Sequence, residues 1–430
     1  MSADDLLSRR RRRLGRSLSL SYREPLVIVR GDGAYLYDAE GRPYLDLVNN
    51  VAHVGHAHPR VVEAATRQKA LLETNTRYLH PTILEYADRL AATLPAGLDV
   101  IHLVNSGSEA NELALRMART ATGRRDVAVL EAAYHGNTSG LVDISPYKFD
   151  GPGGAGRPST THVAPLPDPY RGQHRGDPPA TAAAYVADLG RVIDDAAATG
   201  QPIGAFMAES APGSAGQVIP PPGFLSGAFA RAHEAGAVVV VDEVQVGLGR
   251  VGSHWWAFEV DGAMPDIVTM GKPLGNGHPL GGVATTRPIA DAFANGMEYF
   301  NTFGGNAASA AVGLAVLDVI EEEDLRAHAA DSGERFIKGL RELGARHEAI
   351  GAVRGLGLFI GVVLVADRES RGPATELAAA VVEGAKARGV LLSTDGPHHD
   401  VLKIKPPLVI QPSAIDRAIA VLDEVLTGLA

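Results

Sequence analysis

From residue 99 to residue 285 the apolar residues gather into short unbroken runs: VIHLV, VAVL, IGAFMA, AVVVV, IVTM and GGVAT. Segments between them, such as SEANELALRMART and GFLSGAFARAHEAG, place apolar residues at the three-to-four spacing of a helix. A strand that is apolar at every position is buried on both faces. Strands of that kind separated by helices build a mostly parallel sheet covered on both sides, so the expected fold class is α/β.

Outside that region the pattern changes. Residues 26–48, LVIVRGDGAYLYDAEGRPYLDLV, alternate apolar and polar positions around Gly-Asp-Gly and Glu-Gly-Arg turns, which predicts a small antiparallel sheet. Two helices follow, in HPRVVEAATRQKALLETN and TILEYADRLAATLPAGL, the second stopped by Pro95 and Gly97. After the helix NAASAAVGLAVLDVIEEEDL come the strands of AVRGLGLFIGVVLV, a helix ATELAAAVVEGAKARG, the strands VLLSTDG and VLKIKPP, and a closing helix at 412–428. That is an α+β unit. The expected division is a large α/β domain over 61–315 and a smaller domain built from 1–60 and 316–430. The Gly-, Pro- and Asp-rich stretch 150–182 predicts a long surface loop.

Composition narrows the function classes. The chain has 430 residues, 45% hydrophobic and 21% charged, as in an ordinary globular protein. Forty basic and 50 acidic residues give a net charge of −10, which argues against an electrostatic nucleic-acid binder. An anionic substrate would need a local cationic pocket. The chain has no cysteine, which excludes disulfides, thiolate metal sites and cysteine nucleophiles, and fits a reducing, cytoplasmic location. No apolar run reaches the roughly 18–20 residues of a membrane span, so no membrane partner is expected. The basic run Arg9–Arg13 follows Asp4 and Asp5 and precedes no apolar segment; it reads as a solvated helix face.

Candidate chemistry centres on VVVVDEVQVGLGRVGS, residues 238–253. Gly247, Gly249 and Gly252 have the spacing of a dinucleotide fingerprint. Such a fingerprint needs its first glycine at the strand end, opening a helix toward the pyrophosphate. Here Asp242 and Glu243 occupy the strand end and no helical pattern follows, so the glycines read as a tight loop needing positive φ. Asp242 carries more information. In open α/β sheets ligands collect beyond the carboxyl ends of strands, and Lys272, in VTMGKPLGNGHP, also stands just past a strand. An acid and a lysine so placed suit pyridoxal phosphate, which needs a lysine for a Schiff base and an acid to keep its ring nitrogen protonated. Standing alone, the pair would equally suit a surface salt bridge.

They do not stand alone. NSGSEAN puts Ser106, Gly107 and Ser108 before a helix, an arrangement that suits a phosphate, although Ser108 also suits an N-cap. Tyr134, in YHG, follows another strand and is placed to cover a flat ring; Thr302, in NTFGGN, offers a further hydroxyl. Glu209 ends a strand facing the same region, and it either orients cofactor or substrate or pairs with a nearby base. His53, His56 and His58, like His398 and His399, read as structural, and no metal is expected, because a metal site needs a fuller ligand set.

These motifs together resemble the fold-type I pyridoxal-phosphate enzymes of the class III aminotransferase group, over nearly the whole chain. The resemblance runs from YLDLVNNVAHVGHAHP through NSGSEAN, YHG, DEVQVGLGRVG and MGK to NTFGGN and IKPPL. It implies that Lys272 bonds the cofactor, Asp242 holds the pyridinium nitrogen and Tyr134 stacks on the ring. It further implies that Gly107 and Ser108 hold the cofactor phosphate, that Thr302 reaches it across a homodimer interface with shared active sites, and that Gln245 lies near the ring hydroxyl.

Longer stretches, ETNTRYLHPTILEYADRLAATLP, DISPYKF, APLPDPYRG, EYFNTFGGN and LLSTDGP with VLKIKPPL, look like the phospholyases of O-phosphoethanolamine or phosphohydroxylysine. They look less closely like alanine–glyoxylate aminotransferases. Family members acting on α-amino acids typically place an arginine before PPL; this chain has Lys403 and Lys405. Lysine suits a phosphate, whereas the arginine fork suits a carboxylate. The departure favours a phosphorylated amine as substrate, with Tyr22, Asn50 and Arg77 as further candidates for gripping its phosphate. The two lysines read equally as guards of an exposed strand edge, and Arg77 as a partner of a helix carboxylate. An ω- or alanine–glyoxylate-type aminotransferase is the alternative enzyme. Intact Lys272 and Asp242 argue against a non-catalytic binding protein.

Overall fold

The alternating N-terminal segment folds as β1 (Ile28–Asp32), β2 (Tyr35–Asp38) and β3 (Pro43–Asp46), paired antiparallel in that order. The computed structural model describes residues 3–429. The helices Pro59–Leu71 and Pro81–Ala91 come next, each opened by a proline in its first turn, where the missing N–H costs nothing. The second helix ends at Ala91, before Pro95 and Gly97, and a turn fills the interval.

The unbroken apolar runs form a seven-stranded sheet. Its strands are β4 (Val100–Val104), β5 (Asp126–Leu130), β6 (Thr161–Ala164), β7 (Ile203–Glu209), β8 (Val238–Asp242), β9 (Ile267–Met270) and β10 (Gly281–Thr285). Their order is β4-β10-β9-β8-β7-β5-β6, parallel except at β10, which runs antiparallel to both neighbours. Every residue of β5, β7, β8, β9 and β10 is buried. The sheet thus has apolar layers on both faces, as the continuous runs require.

One expectation fails. The stretch 150–182 is not a single loop: it contains β6 and the start of the helix Pro178–Ala198. Thr161-His162-Val163-Ala164 lacks an apolar run because β6 is an edge strand, paired only with β5. Polar contacts hold it: Thr161 donates to the Asp143 carbonyl at 2.8 Å, and His162 meets Asp126 at 2.8 Å.

Beyond the helices Ala307–Glu322 and Leu325–Arg346 lie β11 (Ile350–Leu356), β12 (Phe359–Leu364), β13 (Val390–Leu391), β14 (Ser393–Asp395) and β15 (Val401–Ile404). Four of them make an antiparallel sheet in the order β11-β12-β15-β14, while β13 pairs parallel with β3. The two ends of the chain therefore share one sheet. The basic run lies on the exposed helix Ala3–Arg13, none of whose residues is buried.

The glycine-rich loop after β8 is a tight turn. Gly249 and Gly252 sit at φ +83° and +80°, and a Cβ on Gly247 would stand 2.7 Å from the Trp256 ring. This turn carries Arg250, which is fully buried. Its guanidinium donates to the carbonyls of Pro406 and Leu358 and, at 3.1 Å, to Nδ1 of His53. His53 must therefore carry its proton on Nε2, which donates to the Leu248 carbonyl at 2.6 Å. Burial pulls the guanidinium down to about 9, and burial with the Arg250 charge pulls His53 down to about 3.

The His53 shift sets a pH dependence. Between about pH 6.5 and about pH 3 the unfolded chain binds a proton at His53 that the folded chain refuses, so stability falls as pH drops through that window. The loss is bounded by roughly 1.4 kcal/mol per pH unit. His53→Gln, which does not titrate, is expected to lose less stability than the wild type on acidification from about pH 7 to about pH 5. Thermal unfolding at the two pH values measures the difference.

Candidate active site

The register of the central sheet puts charged residues at one level. Glu209, the last residue of β7, pairs with Asp242, the last of β8, and Asp242 pairs with Thr269 on β9. Lys272 follows three positions after Thr269. All three charged groups thus lie at the carboxyl edge, where the apolar strands end and a ligand can approach.

Alternation along the chain separates the Asp-Glu pair at 242–243. Asp242 faces the site. Its Oδ2 accepts from Nδ2 of Asn111 at 2.7 Å and from Nδ1 of His135 at 2.9 Å, and its Oδ1 accepts from the backbone N–H of Val244 at 3.1 Å. Asn111 also donates to the His135 carbonyl at 2.6 Å. Glu243 points the other way and organises backbone. It accepts from the N–H groups of Ala257 and Phe258 at 2.9 and 3.0 Å and from the Ser210 hydroxyl, and burial pushes its carboxyl up to about 7.

Lys272 is partly buried, and burial lowers its pKa, while Asp242 and Glu209 act in the opposite direction. Glu209 is pushed up to about 7 by burial and then by Asp242. One of its oxygens accepts from Gly213 N–H at 2.9 Å; the other is buried without a partner among the described residues. Among the described residues Glu209 thus pairs with no base and keeps one carboxylate oxygen free.

Gln245 joins three segments. Its Oε1 accepts from Nζ of Lys405 at 2.7 Å and from Nδ2 of Asn50 at 3.3 Å, which leaves its amide N–H free to donate elsewhere. Lys405 is buried over the Phe359 ring, 4.6 Å from its centroid; burial and then the Lys403 charge hold its pKa well down. Lys403 is one-fifth exposed and stands 3.4 Å from Asp395. Both lysines lie on or just past β15, which runs between β12 and β14. The reading of these lysines as edge guards is therefore overturned: β15 has a partner on each side, and no free edge exists there to protect.

Gly107 opens the helix Gly107–Thr122 and packs against the loops that carry the other groups. A Cβ on it would stand 2.7 Å from Val244, and one on Gly271 would stand 3.1 Å from Gly107. Ser106, not Ser108, is the N-cap, accepting from Glu109 N–H at 3.1 Å. The Ser108 hydroxyl instead accepts from Asn137 N–H at 3.3 Å, beside Gly136 at φ +148°. Tyr134 is half-buried within the field of Asp242, edge-on to Tyr147. Tyr22 donates to the Leu392 carbonyl at 3.2 Å, next to β14.

Two expected residues stand apart within the single chain. Arg77 is exposed, paired with Glu298 at 2.9 Å and stacked 4.1 Å over Phe300. Its carboxylate partner lies on a loop, not on a helix. Thr302 is exposed on the same loop. Two functional groups escaped sequence reasoning: Asn111, an amide buried on an otherwise apolar helix face, and His135, directly after Tyr134. The available signal was a polar Asn111 in register with the apolar positions Ala114, Leu115 and Ala118 of its helix.

Residues 19–426 match the class III aminotransferase family. The chain belongs to that family. Among its relatives, a Drosophila melanogaster protein named alanine–glyoxylate aminotransferase 2-like is 45% identical, over 100% of this chain and 88% of the other. A Caenorhabditis elegans ethanolamine-phosphate phospho-lyase homolog 1 is 41% identical, over 99% and 94%. A solved structure of an Arthrobacter phospholyase in complex with phosphoethanolamine superposes with a TM-score of 0.94 at 40% identity, covering 99% of this chain and 100% of that one.

The protein is therefore a fold-type I enzyme that depends on pyridoxal 5′-phosphate, and its own residues fit that group. A partly buried amine, a carboxylate anchored by three donors, and a helix N-terminus approached closely through Gly107 suit its aldehyde, ring nitrogen and phosphate. Three buried polar atoms, on Glu209, Asn111 and His135, are without partners among the described residues in the same region.

Asn111→Ala removes one donor from Asp242 and one from the His135 carbonyl. Hydrogen bonds to charged groups are worth about 1.5–3 kcal/mol. The variant is expected to hold pyridoxal phosphate at least roughly tenfold more weakly, measured by equilibrium dialysis.

Proposed function

We propose that the protein is a phospholyase that eliminates phosphate from O-phosphoethanolamine or a related amino alcohol phosphate, giving aldehyde, ammonia and phosphate. The observation that carries this reading is the pair Lys403 and Lys405, on and just past the inner strand β15 and near Lys272, where family members acting on α-amino acids typically carry an arginine. Point-charge ammonium groups suit phosphate oxygens; a guanidinium fork suits a carboxylate. They make a local cationic pocket in a chain of net charge −10. The phospholyase relatives support the same assignment.

In this reading Lys272 bonds the cofactor, Asp242 keeps a proton on its ring nitrogen, Gln245 donates to its ring hydroxyl and Gly107 and Ser108 hold its phosphate. Bound there, pyridoxal phosphate supplies an electron sink for the carbon bearing the substrate amine. Lys272, freed when substrate binds, removes a proton from that carbon; burial lowers its pKa and so favours the neutral amine that a base must be. The C–O bond on the next carbon then breaks, and its electron pair leaves with the phosphate, whose charge Lys403 and Lys405 stabilise. Water hydrolyses the remaining enamine to aldehyde and ammonia. Tyr22 and Asn50 border the substrate. A cytoplasmic location completes the reading and rests on the cysteine-free sequence.

The exposed surface around Arg77 supports a homodimer. Leu71, Tyr78, Leu79, Met297 and Phe303 are all largely exposed, with Leu79 at 96%. An apolar patch of that kind marks an interaction face. We assign it to a second copy of this chain, which would carry Arg77 and Thr302 to the neighbouring active site.

With O-phosphoethanolamine and no amino acceptor, purified cofactor-loaded protein is expected to release phosphate, ammonia and acetaldehyde in equal amounts. Lys403→Ala should raise KM for that substrate at least roughly tenfold, the cost of one charge-assisted contact. No release, together with amino transfer from alanine to a keto acid, would overturn the phospholyase reading in favour of an aminotransferase. Sedimentation should show a dimer, and Leu79→Asp should shift it toward monomer with loss of activity.

A further inference from the structure

The cationic pocket contains a carboxylate that the proposed reaction leaves unused. β14 runs antiparallel to β15 with Ser393 opposite Lys403 and Asp395 opposite Val401. Opposed residues, and residues two apart on a strand, project to the same face. Ser393, Asp395 and Lys403 therefore share one. Asp395 stands 3.4 and 3.5 Å from Lys403, well outside the 2.7–2.9 Å of a tight charge-assisted bond.

What holds Asp395 comes from the other side. The side-chain N–H of Gln217 donates to it at 2.7 Å and to the Gly213 carbonyl at 2.9 Å. Gln217 is fully buried, and Gly361, opposite Lys403 on β12, makes room for it: a Cβ at 361 would stand 2.9 Å from that of Gln217. Asp395 is thus built into the pocket wall. The Ser393 hydroxyl is buried with no partner among the described residues. The other charged or titratable groups around Asp395 are Lys272 after β9, Lys405 after β15, and Tyr147, with Glu209 and Asp242 at the ends of β7 and β8 behind the lysines. Arg354 is committed to Asp168 and the Gly216 carbonyl, and His398 and His399 line separate cavities.

A fixed carboxylate opposes any anion unless the anion brings a proton for it to accept. A phosphate monoester retains one up to about pH 6. A sulfate ester or a carboxylate has none at neutral pH. We propose that Asp395 accepts a hydrogen bond from a P–OH of the substrate while Lys403 and Ser393 donate to its other oxygens, so that the pocket admits a phosphate and rejects a sulfate or carboxylate of similar shape. This rests on the phospholyase reading, which puts the phosphate here. The bound ester and Asp395 together hold one proton, and above about pH 6 that proton is taken from solvent.

Ethyl phosphate and ethyl sulfate, matched in shape and lacking the amine, are the probes for the cofactor-loaded full chain. Titration calorimetry at about pH 8, in two buffers of different ionisation enthalpy, reads affinity and proton uptake together. The wild type is expected to take up about one proton with ethyl phosphate and to bind ethyl sulfate at least roughly tenfold more weakly. Asp395→Asn, whose amide donates where the carboxylate only accepts, is expected to lose the uptake and bind the two esters within about threefold of each other. Asp395→Ser repeats the test should the first variant fail to fold. Uptake and preference unchanged in the variant, or absent from a wild type that binds ethyl phosphate, would overturn the role of Asp395 and leave the phospholyase reading standing. A wild type that binds neither ester would overturn that reading itself.

Discussion

A guanidinium with no carboxylate beside it holds the site together. Burying a charge is costly unless hydrogen bonds replace its water, and Arg250 finds those partners in two backbone carbonyls and one imidazole. Its contacts fall close in sequence to Gln245 and to the two residues that meet there, Asn50 and Lys405. Pro406 adjoins Lys405, His53 follows Asn50 by one short turn, and Arg250 stands on the loop that leaves Gln245. The segments that carry His53, Leu358 and Pro406 are thereby locked to the loop after β8.

Much of this was legible in sequence because it follows from burial. The unbroken valines of β8 and the glycine-free strand end at Asp242 identified the carboxyl edge and ruled out a dinucleotide loop. β6 was missed because an edge strand with one paired side needs no apolar run. The lysines of β15 could be read as edge guards only because strand order is invisible to local pattern; β14 and β12 close over them through long-range pairing. Asn111 and His135 were missed for a related reason. Their role is to hold Asp242, which lies far from them in sequence, and spacing does not report that geometry.

Class III membership sets the cofactor but leaves the substrate open, since relatives named aminotransferase and phospho-lyase align over the same length. In the proposed reading the distinction falls to the sheet of β11, β12, β14 and β15, whose last strand leads to Lys405 and its contact with Gln245. Lys403, Asp395 and Ser393 occupy one face of that sheet, and the backbone beneath them is shared ground. Changing specificity there requires new side chains on existing strands, with no new fold.

The pairing of β3 with β13 also governs how the chain reaches its native state. Leu45 is synthesised long before Val390, and its sheet is incomplete until that partner arrives. Throughout translation the first hairpin offers an unsatisfied strand edge, beside a central sheet whose residues are already available to fold. Contacts of such high sequence separation close slowly and leave aggregation-prone surface exposed meanwhile. Until β13 is made, β3 is a strand edge open to pairing with another chain.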